Sequence, residues 1–161
     1  MATLAWGKPL IEICKLENGE LPASPDWTAM PEIVDGTAKV NTEQGEKKEA
    51  LAEGGEVVDV RYSKSKYSLE FELFVKKGDA KPIEDEDGVI IDNYAVRLTP
   101  EDDTCEGSLL DKTSVTVVET WTSADGKRWK YVFDGLKPKT GKILKPYLKS
   151  APAKQEAPTE G

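Results

Sequence analysis

Two alternating runs of apolar and polar residues decide the fold class: Val57-Val58-Asp59-Val60-Arg61-Tyr62 and Tyr67-Ser68-Leu69-Glu70-Phe71-Glu72-Leu73-Phe74-Val75, joined by Ser63-Lys64-Ser65-Lys66. Successive side chains of a β-strand point to opposite faces, so both runs read as strands and the short connection predicts a β-hairpin. Val58, Val60 and Tyr62 would lie on its dry face. Asp59, Arg61, Glu70 and Glu72 would lie on its charged, wet face. Such a sheet favours a structural or assembly protein over an enzyme.

Other segments of the chain carry similar strand patterns. They are residues 10–15, 38–42, 89–98, 114–121 and 128–133, the last two being joined across Asp125-Gly126, a strong hairpin signal. Weak helix signals occur only at 46–52 and 100–111. The prediction is therefore a mainly β protein with a β-sandwich or barrel-like fold, at most one or two short helices, a single domain over residues 1–149 and a flexible tail over 150–161.

Charge is unevenly distributed along the 161-residue chain, whose net charge is −8. Residues 79–111 contain eleven acidic residues against two basic ones, whereas residues 137–161 contain six lysines against two glutamates. An acidic chain is poorly suited to wrapping duplex DNA through phosphate contacts. The two segments are either solvated loops or complementary surfaces of neighbouring copies.

The charged segment from Glu43 to Glu56 is bounded by glycines and has few apolar residues. Burial of its own side chains would not offset the entropy of ordering it, so we expect a loop that orders against a partner. Its charged residues are candidates for contacts between subunits: Glu46, Lys47, Lys48, Glu49, Glu53 and Glu56.

Catalytic and metal-binding patterns are hard to find in this sequence. It contains no histidine, and its two cysteines, Cys14 and Cys105, stand far apart. Glu70 and Glu72 would suit acid catalysis only if one were desolvated, and two acids at this spacing on a strand usually form a solvated face. The sequence predicts no enzymatic activity, no metal and no cofactor, and it contains no membrane-spanning apolar run.

Three large aromatic residues near the end of the chain, Trp121, Trp129 and Tyr131, allow a second interpretation. They could form a stacking platform for a sugar on a β-sandwich binding module, although aromatic residues of β-hairpins more often fill a core. A binding module would be a stable monomer with an exposed aromatic patch.

The order of these parts resembles the tail tube (major tail) proteins of long-tailed bacteriophages and prophages. The resemblance rests on Gly36-Thr37-Ala38-Lys39-Val40, the charged segment 46–56, the strand 67–73, and Tyr131-Val132-Phe133-Asp134-Gly135-Leu136-Lys137-Pro138 followed by Gly141-Lys142. It covers roughly residues 36–148. The chain departs from the family in lacking a clear helix beside the β-sandwich.

The resemblance implies subunits that form hexameric rings, stacked into a hollow tail tube through which DNA is ejected. The implied partners are other copies of the chain, the tail-tip or baseplate, tail terminator and tape measure proteins, and DNA in non-specific passage. The protein would be made in the cytoplasm of a host bacterium and reside in the virion tail, with no membrane partner. Asp59, Arg61, Glu70 and Glu72 would then line the channel, where acidic groups repel phosphate. A tube protein of a contractile injection system is an equally open alternative.

Overall fold

The computed structural model describes residues 4–148, and these form an antiparallel, mainly β protein. No helix occurs within that range, which confirms the predicted fold class. The ten strands are β1 Leu10–Lys15, β2 Thr28–Ala29, β3 Lys39–Glu43, β4 Lys47–Leu51, β5 Val57–Tyr62, β6 Lys66–Phe74, β7 Tyr94–Thr99, β8 Gly107–Thr122, β9 Gly126–Gly135 and β10 Leu144–Tyr147. The predicted flexible tail, residues 150–161, lies outside the described residues.

Eight strands form one sheet in the order β2-β1-β7-β8-β9-β6-β3. The sixteen-residue strand β8 joins its two halves, because the first part of β8 pairs with β7 and the last part pairs with β9. The eighth strand, β10, pairs with the start of β8 beyond the end of β9. The remaining strands, β4 and β5, pair only with each other and form a separate two-stranded sheet.

A single hydrophobic core lies inside the sheet, and residues from both halves contribute to it. Phe71, Tyr131 and Phe133 are fully buried and their rings pack together, with 5.6 Å between the centroids of Phe71 and Phe133. Ile11 and Val96 of the other half belong to the same cluster. Residues far apart in sequence thus build one core, which makes the main sheet a cooperative unit.

Two of the predicted local patterns hold in the structure. In β6, Leu69, Phe71 and Leu73 are buried and alternate with half-buried polar residues. The hairpin signal at Asp125-Gly126 marks the turn between β8 and β9, where Thr122 pairs with Gly126. Both patterns succeed because the strands border the core on one face and solvent on the other.

The predicted hairpin between residues 57–62 and 67–75 is wrong. Strand β5 pairs with β4, and the two sides of β6 are occupied by β3 and β9. The apolar face of β5 is also not dry, since Val58 and Tyr62 are exposed. The segment 46–52, expected to be a loop with at most one helical turn, forms strand β4.

The predicted short helix over residues 100–111 is also wrong. The backbone turns at Asp102, whose carbonyl accepts from the amide of Cys105, and whose carboxylate accepts from the amide and hydroxyl of Thr104. These side-chain bonds compete with a helix, and they lower the pKa of Asp102. Strand β8 then begins at Gly107. The strand expected over 89–98 begins later, at Tyr94.

Candidate functional site

The most unusual element is the two-stranded hairpin of β4 and β5, residues 46–63, which we call the arm. Its tip closes with the amide of Ala52 donating to the carbonyl of Glu56 at 2.8 Å. At its neck, the amide of Ser63 donates to the carbonyl of Glu46 at 2.9 Å. Every residue of β4 and all but one of β5 are exposed, so the arm projects from the main sheet without a core of its own.

One face of the arm is uncovered and carries apolar side chains beside Lys47 and Glu49. The register places Tyr62 opposite Lys47, Val60 opposite Glu49 and, beyond a β-bulge at Ala50 and Leu51, Val57 opposite Leu51. Leu51, Val58 and Tyr62 are 59%, 68% and 60% exposed. An isolated two-stranded hairpin is marginally stable in water, and a contiguous exposed apolar face commonly marks an interaction surface. The arm therefore has the features of a docking element.

The six charged residues predicted to contact other subunits all lie on the arm: Glu46, Lys47, Lys48, Glu49, Glu53 and Glu56. Lys47 pairs with Glu49 at 3.0 Å on an exposed surface. Lys48 lies directly opposite Arg61, and like charges in this position destabilise a β-pair. The neck half of the hairpin thus mixes Lys47, Lys48 and Arg61 with Glu46 and Glu49, whereas the tip carries the acidic residues Glu53 and Glu56.

The four residues predicted to line a channel do not share one hairpin, which corrects the prediction of a common face. Glu70 and Glu72 lie on the face of β6 that points away from the core. Asp59 and Arg61 lie on the arm, on the face opposite to Val60 and Tyr62.

Glu70 and Glu72 belong to a larger surface that we call the polar face, formed by the outward side chains of β3, β6, β9 and the end of β8. Glu70 Oε2 lies 3.4 Å from Lys130 Nζ and 3.7 Å from Lys39 Nζ. Glu72 Oε1 lies 3.4 Å from Arg128 Nη1. Positive charges from neighbouring strands therefore offset both carboxylates, which the single-strand pattern did not reveal.

Open strand edges flank the polar face. Within residues 4–148, β3 pairs only with β6, and the end of β8 from Val118 to Thr122 pairs only with β9. The edge at the opposite end of the sheet, β2, is only two residues long and lies between Pro25 and Pro31. Short edges and prolines block further strand pairing, whereas longer open edges permit it.

A compact acidic turn borders the open edge of β8. Glu86 and Val89 form a tight bridge, and Val89 pairs with Thr116 of β8. Asp85 Oδ1 lies 2.7 Å from Lys81 Nζ, and Asp85 Oδ2 accepts from the amide of Gly88 at 2.6 Å. Lys81 and this amide hold the pKa of the Asp85 carboxyl below its usual value. These bonds fix the shape of the turn.

The core residue Tyr131 and an ion pair of Lys81 with Glu119, 3.8 Å between Nζ and Oε1, connect this segment to the β8–β9 hairpin. The hydroxyl of Tyr131 donates to the carbonyl of Ile83 at 2.9 Å, and burial raises the pKa of Tyr131 to about 12. The indole N–H of Trp129 donates to Glu119, which lowers the pKa of that carboxyl. The acidic segment is therefore anchored on the core rather than loosely solvated.

The aromatic platform of the second interpretation does not form. Trp129 and Tyr131 are buried in the core, and Trp121 is exposed alone near the β8–β9 turn. The structure does not place these three rings on one accessible surface, as stacking on a sugar would require.

The lysine-bearing segment near the end of the chain finds acidic partners within the same chain. Lys139 Nζ lies 2.7 Å from Glu20 Oε2, which raises the pKa of Lys139, and Lys145 pairs with Asp111. One of the two interpretations of segments 79–111 and 137–161 is a contact across neighbouring copies. For Asp111 and Lys145, the contact lies within one copy.

Neither a metal site nor a membrane helix is found among the described residues. Between residues 4 and 148, no group of three or more metal-ligating side chains is suitably placed, and no helix is long and apolar enough to cross a bilayer. No family model matches the sequence, and no curated protein matches it either.

Proposed function

We propose that the protein is a virion structural protein whose copies form hexameric rings, stacked into the hollow tail tube through which phage DNA is ejected. One observation carries the proposal: a four-stranded polar sheet with open edges on both sides, next to an arm whose strands pair with no other strand among residues 4–148. A ring removes both open edges, because the edge of each copy pairs with that of the next.

The strand directions are compatible with such closure. From β8 through β9 and β6 to β3, successive strands are antiparallel, so β3 of one copy would continue the alternation if placed beside β8 of the next. The two open edges also match in length, since β3 has five residues and the open part of β8 runs from Val118 to Thr122.

The size of the resulting barrel suits passage of DNA. Six copies would contribute about 24 strands, and a spacing of about 4.8 Å with a tilt of about 40° gives a barrel roughly 45–50 Å across its backbone. Side chains narrow this opening, but it still admits a DNA duplex. The polar face would line the channel.

Charge on the polar face supports this orientation. Glu70 and Glu72 are held among Lys39, Lys130 and Arg128, so the face has no uncompensated basic stripe that would bind phosphates tightly. Asp59 and Arg61, on the arm, would be positioned by how the arm docks on a neighbouring subunit or an adjacent ring. The tail-tip or baseplate, terminator and tape measure proteins would bind the ends and the lumen of the tube.

Assembly of the purified full chain tests the proposal. We expect size-exclusion chromatography with light scattering to detect hexamers or larger species as concentration rises, and negative-stain electron microscopy to reveal rings or tubes with a central channel. A protein that stays monomeric at all concentrations and salt conditions, and also fails to elongate on a tail-tip or baseplate seed, would contradict it.

The orientation of the polar face has its own test. Tubes of E70K/E72K should retain linear duplex DNA on co-sedimentation, with retention falling as salt rises, whereas wild-type tubes should not. The control is E106K, which changes an exposed residue outside the polar face. Equal retention by both variants would show that Glu70 and Glu72 do not face the lumen.

A further inference from the structure

Trp121 is a large aromatic side chain left exposed at the open edge of β8. It is 67% exposed, and the register pairs it with Lys127, while Glu119 pairs with Trp129. Alternate residues of a strand share a face, and Trp129 is buried in the core. Trp121 therefore lies on the core side of the sheet, opposite to the polar face.

An open groove lies on the core side of the other edge, beside β3. It has a volume of about 880 Å³, which is enough to receive a large side chain. The wall across from β3 is held in place, because the amide of Lys8 donates to Glu101 Oε1 at 2.8 Å. A site that is already ordered loses little conformational entropy when it is filled. The apolar residues that line the groove are Trp6, Ile33, Ala38, Val40, Leu98 and Pro100.

The backbone of β3 shows which of its residues can pair with a further strand. The N–H and C=O groups of successive residues in an antiparallel strand point to opposite edges. The carbonyl of Glu72 accepts from the amide of Val34 at 2.9 Å, so the even-numbered residues of β6 face the β3 side. Their partners in β3 are Lys39 and the alternate residues after it. Val40 and Thr42 therefore direct their backbone groups to the open edge.

The same alternation continues to the open edge of β8. The odd-numbered residues of β6 face β9, so the even-numbered residues of β9 face β8. Their partners in the last part of β8 are Val118, Thr120 and Thr122. Glu119 and Trp121 therefore direct their backbone groups to the open edge of β8.

One register satisfies both open edges. Opposed residues of a sheet share a face, so Trp121 can lie opposite only the core-side residues of β3, Val40 and Thr42. Full overlap of the two five-residue edges places Val40 opposite Trp121 and Thr42 opposite Glu119. All four residues direct their backbone groups to the shared edge, so both pairs can exchange hydrogen bonds.

We propose that this pairing seats Trp121 of one copy in the groove of the next, where its ring packs against Val40. The inference rests on the proposed ring of identical copies, and it names the register and the anchor of the ring interface. Because Trp121 lies on the core side, it leaves the polar face and the channel unobstructed. Each copy gives one tryptophan and offers one groove, so the contact is head-to-tail, as a ring requires.

Substitution of the anchor tests the inference in the full chain. Trp121→Thr removes the indole and keeps a β-branched residue suited to a strand. It should raise the concentration at which half of the copies assemble by about 30-fold or more, because a tryptophan buried in an interface pocket is commonly a hot spot. The melting temperature of the monomer should not change, since the side chain is exposed. The control is Thr120→Val on the polar face of the same edge, which should assemble like the wild type.

A disulfide tests the register without changing Trp121. The proposed pairing places Asn41 opposite Thr120 as a pair without mutual hydrogen bonds, with Cα atoms about 4.5 Å apart, a distance that a disulfide can bridge. On mild oxidation, N41C/T120C should therefore give a ladder of covalent oligomers on non-reducing gels. The control N41C/T122C joins diagonal positions about 7–8 Å apart and should stay mostly uncoupled. Both variants carry Cys105→Ser, which removes the partly exposed native thiol.

The outcomes separate this inference from the proposed function. If the wild-type protein forms rings and Trp121→Thr assembles equally well, the anchor is wrong and the ring stands. Stronger coupling of N41C/T122C than of N41C/T120C would overturn the register, again without affecting the ring. If the wild-type protein never assembles, the ring proposal fails, and this inference fails with it.

Discussion

The β8–β9 hairpin and the arm each contain strands of alternating sequence, β9 in the first and β5 in the second, yet their surroundings differ. In the first, Val115, Val117, Tyr131 and Phe133 are buried in the core. In the second, the apolar side chains Leu51, Val58 and Tyr62 are exposed. Strand pairing is present in both, so the difference lies in what covers the apolar face.

This difference shows how one pattern can serve two purposes. The apolar side chains that alternate along β9 stabilise the folded monomer, because they are buried and so removed from water. Alternation in the arm contributes little to the isolated chain and becomes stabilising only when another surface covers it. An apolar strand that the fold leaves open is therefore a signal of assembly.

The largest expected effect separates the two hairpins directly. Phe133→Ala should lower the free energy of unfolding by about 3–5 kcal/mol, because it leaves a cavity in the core. Tyr62→Ala on the arm should change the stability of the monomer by less than about 0.5 kcal/mol. Urea unfolding of both variants measures the contrast, and equal losses would show that the arm is part of the cooperative unit.

A smaller effect is expected at the anchor between the β8–β9 hairpin and the acidic segment. Tyr131→Phe removes the hydroxyl that bonds to Ile83 and should cost about 1–3 kcal/mol, because it leaves a buried carbonyl without its donor. Amide hydrogen exchange should also become faster at Gly88. Unchanged exchange would mean that the turn is held by Asp85 and Lys81 alone.

The same tyrosine predicts a pH dependence. The pKa of Tyr131 is about 12 in the folded protein, against about 10 for an unperturbed tyrosine. A raised folded-state pKa means that its contribution to stability is fully present below pH 10 and is lost as the pH rises toward 12. Between pH 10 and pH 12, the free energy of unfolding should fall more steeply for the wild type than for Tyr131→Phe.

On the polar face, Glu70→Gln should lower stability by about 0.5–1 kcal/mol, since it removes ion pairs with Lys39 and Lys130 at a partly exposed site. The loss should shrink in high salt, which screens these pairs. A loss that does not change with salt would point to packing or to the hydrogen bond from Asn41 instead.

The smallest effect on the thermal stability of the monomer should come from the largest change in sequence, removal of the arm. Replacing residues 46–63 with a short Gly-Ser linker should leave the melting temperature of the body nearly unchanged, because the arm contributes nothing to the core. Ring formation should be lost. Calorimetry and light scattering measure the two properties, and a large drop in melting temperature would contradict the separation of arm and body.

Local patterns predicted the strands that border the core. The alternation in β6 and the Asp125-Gly126 turn were sufficient to predict β6 and the β8–β9 hairpin, because each pattern depends only on residues close together in sequence. The partner of β5 was not predictable in this way. Residues 57–62 and 67–75 are close in sequence, but β3 and β9 occupy both sides of β6, and that competition involves strands more than twenty residues away.

The candidate site was predictable only in part. The sequence predicts that the charged segment from Glu43 to Glu56 orders against a partner, and this stays a prediction. The strand character of β4 was hidden because Glu46-Lys47-Lys48-Glu49 contains no apolar residue. The ion pairs of Glu70 and Glu72 depend on Lys39 of β3 and on Lys130 and Arg128 of β9, the two strands that flank β6. Sequence spacing gives no sign of them until the strand order is known.

The neck of the arm also has a consequence for engineering and for folding kinetics. The two ends of the arm meet so closely that a Cβ on Gly45 would lie 1.8 Å from the carbonyl oxygen of Ser63, while Glu43 and Lys66 are already paired just outside. When the ends of an inserted segment are held together, the entropic cost of closing it as a loop rises only logarithmically with its length. The neck is therefore a natural grafting point, where a foreign hairpin could replace the arm and be displayed by a body that folds without it.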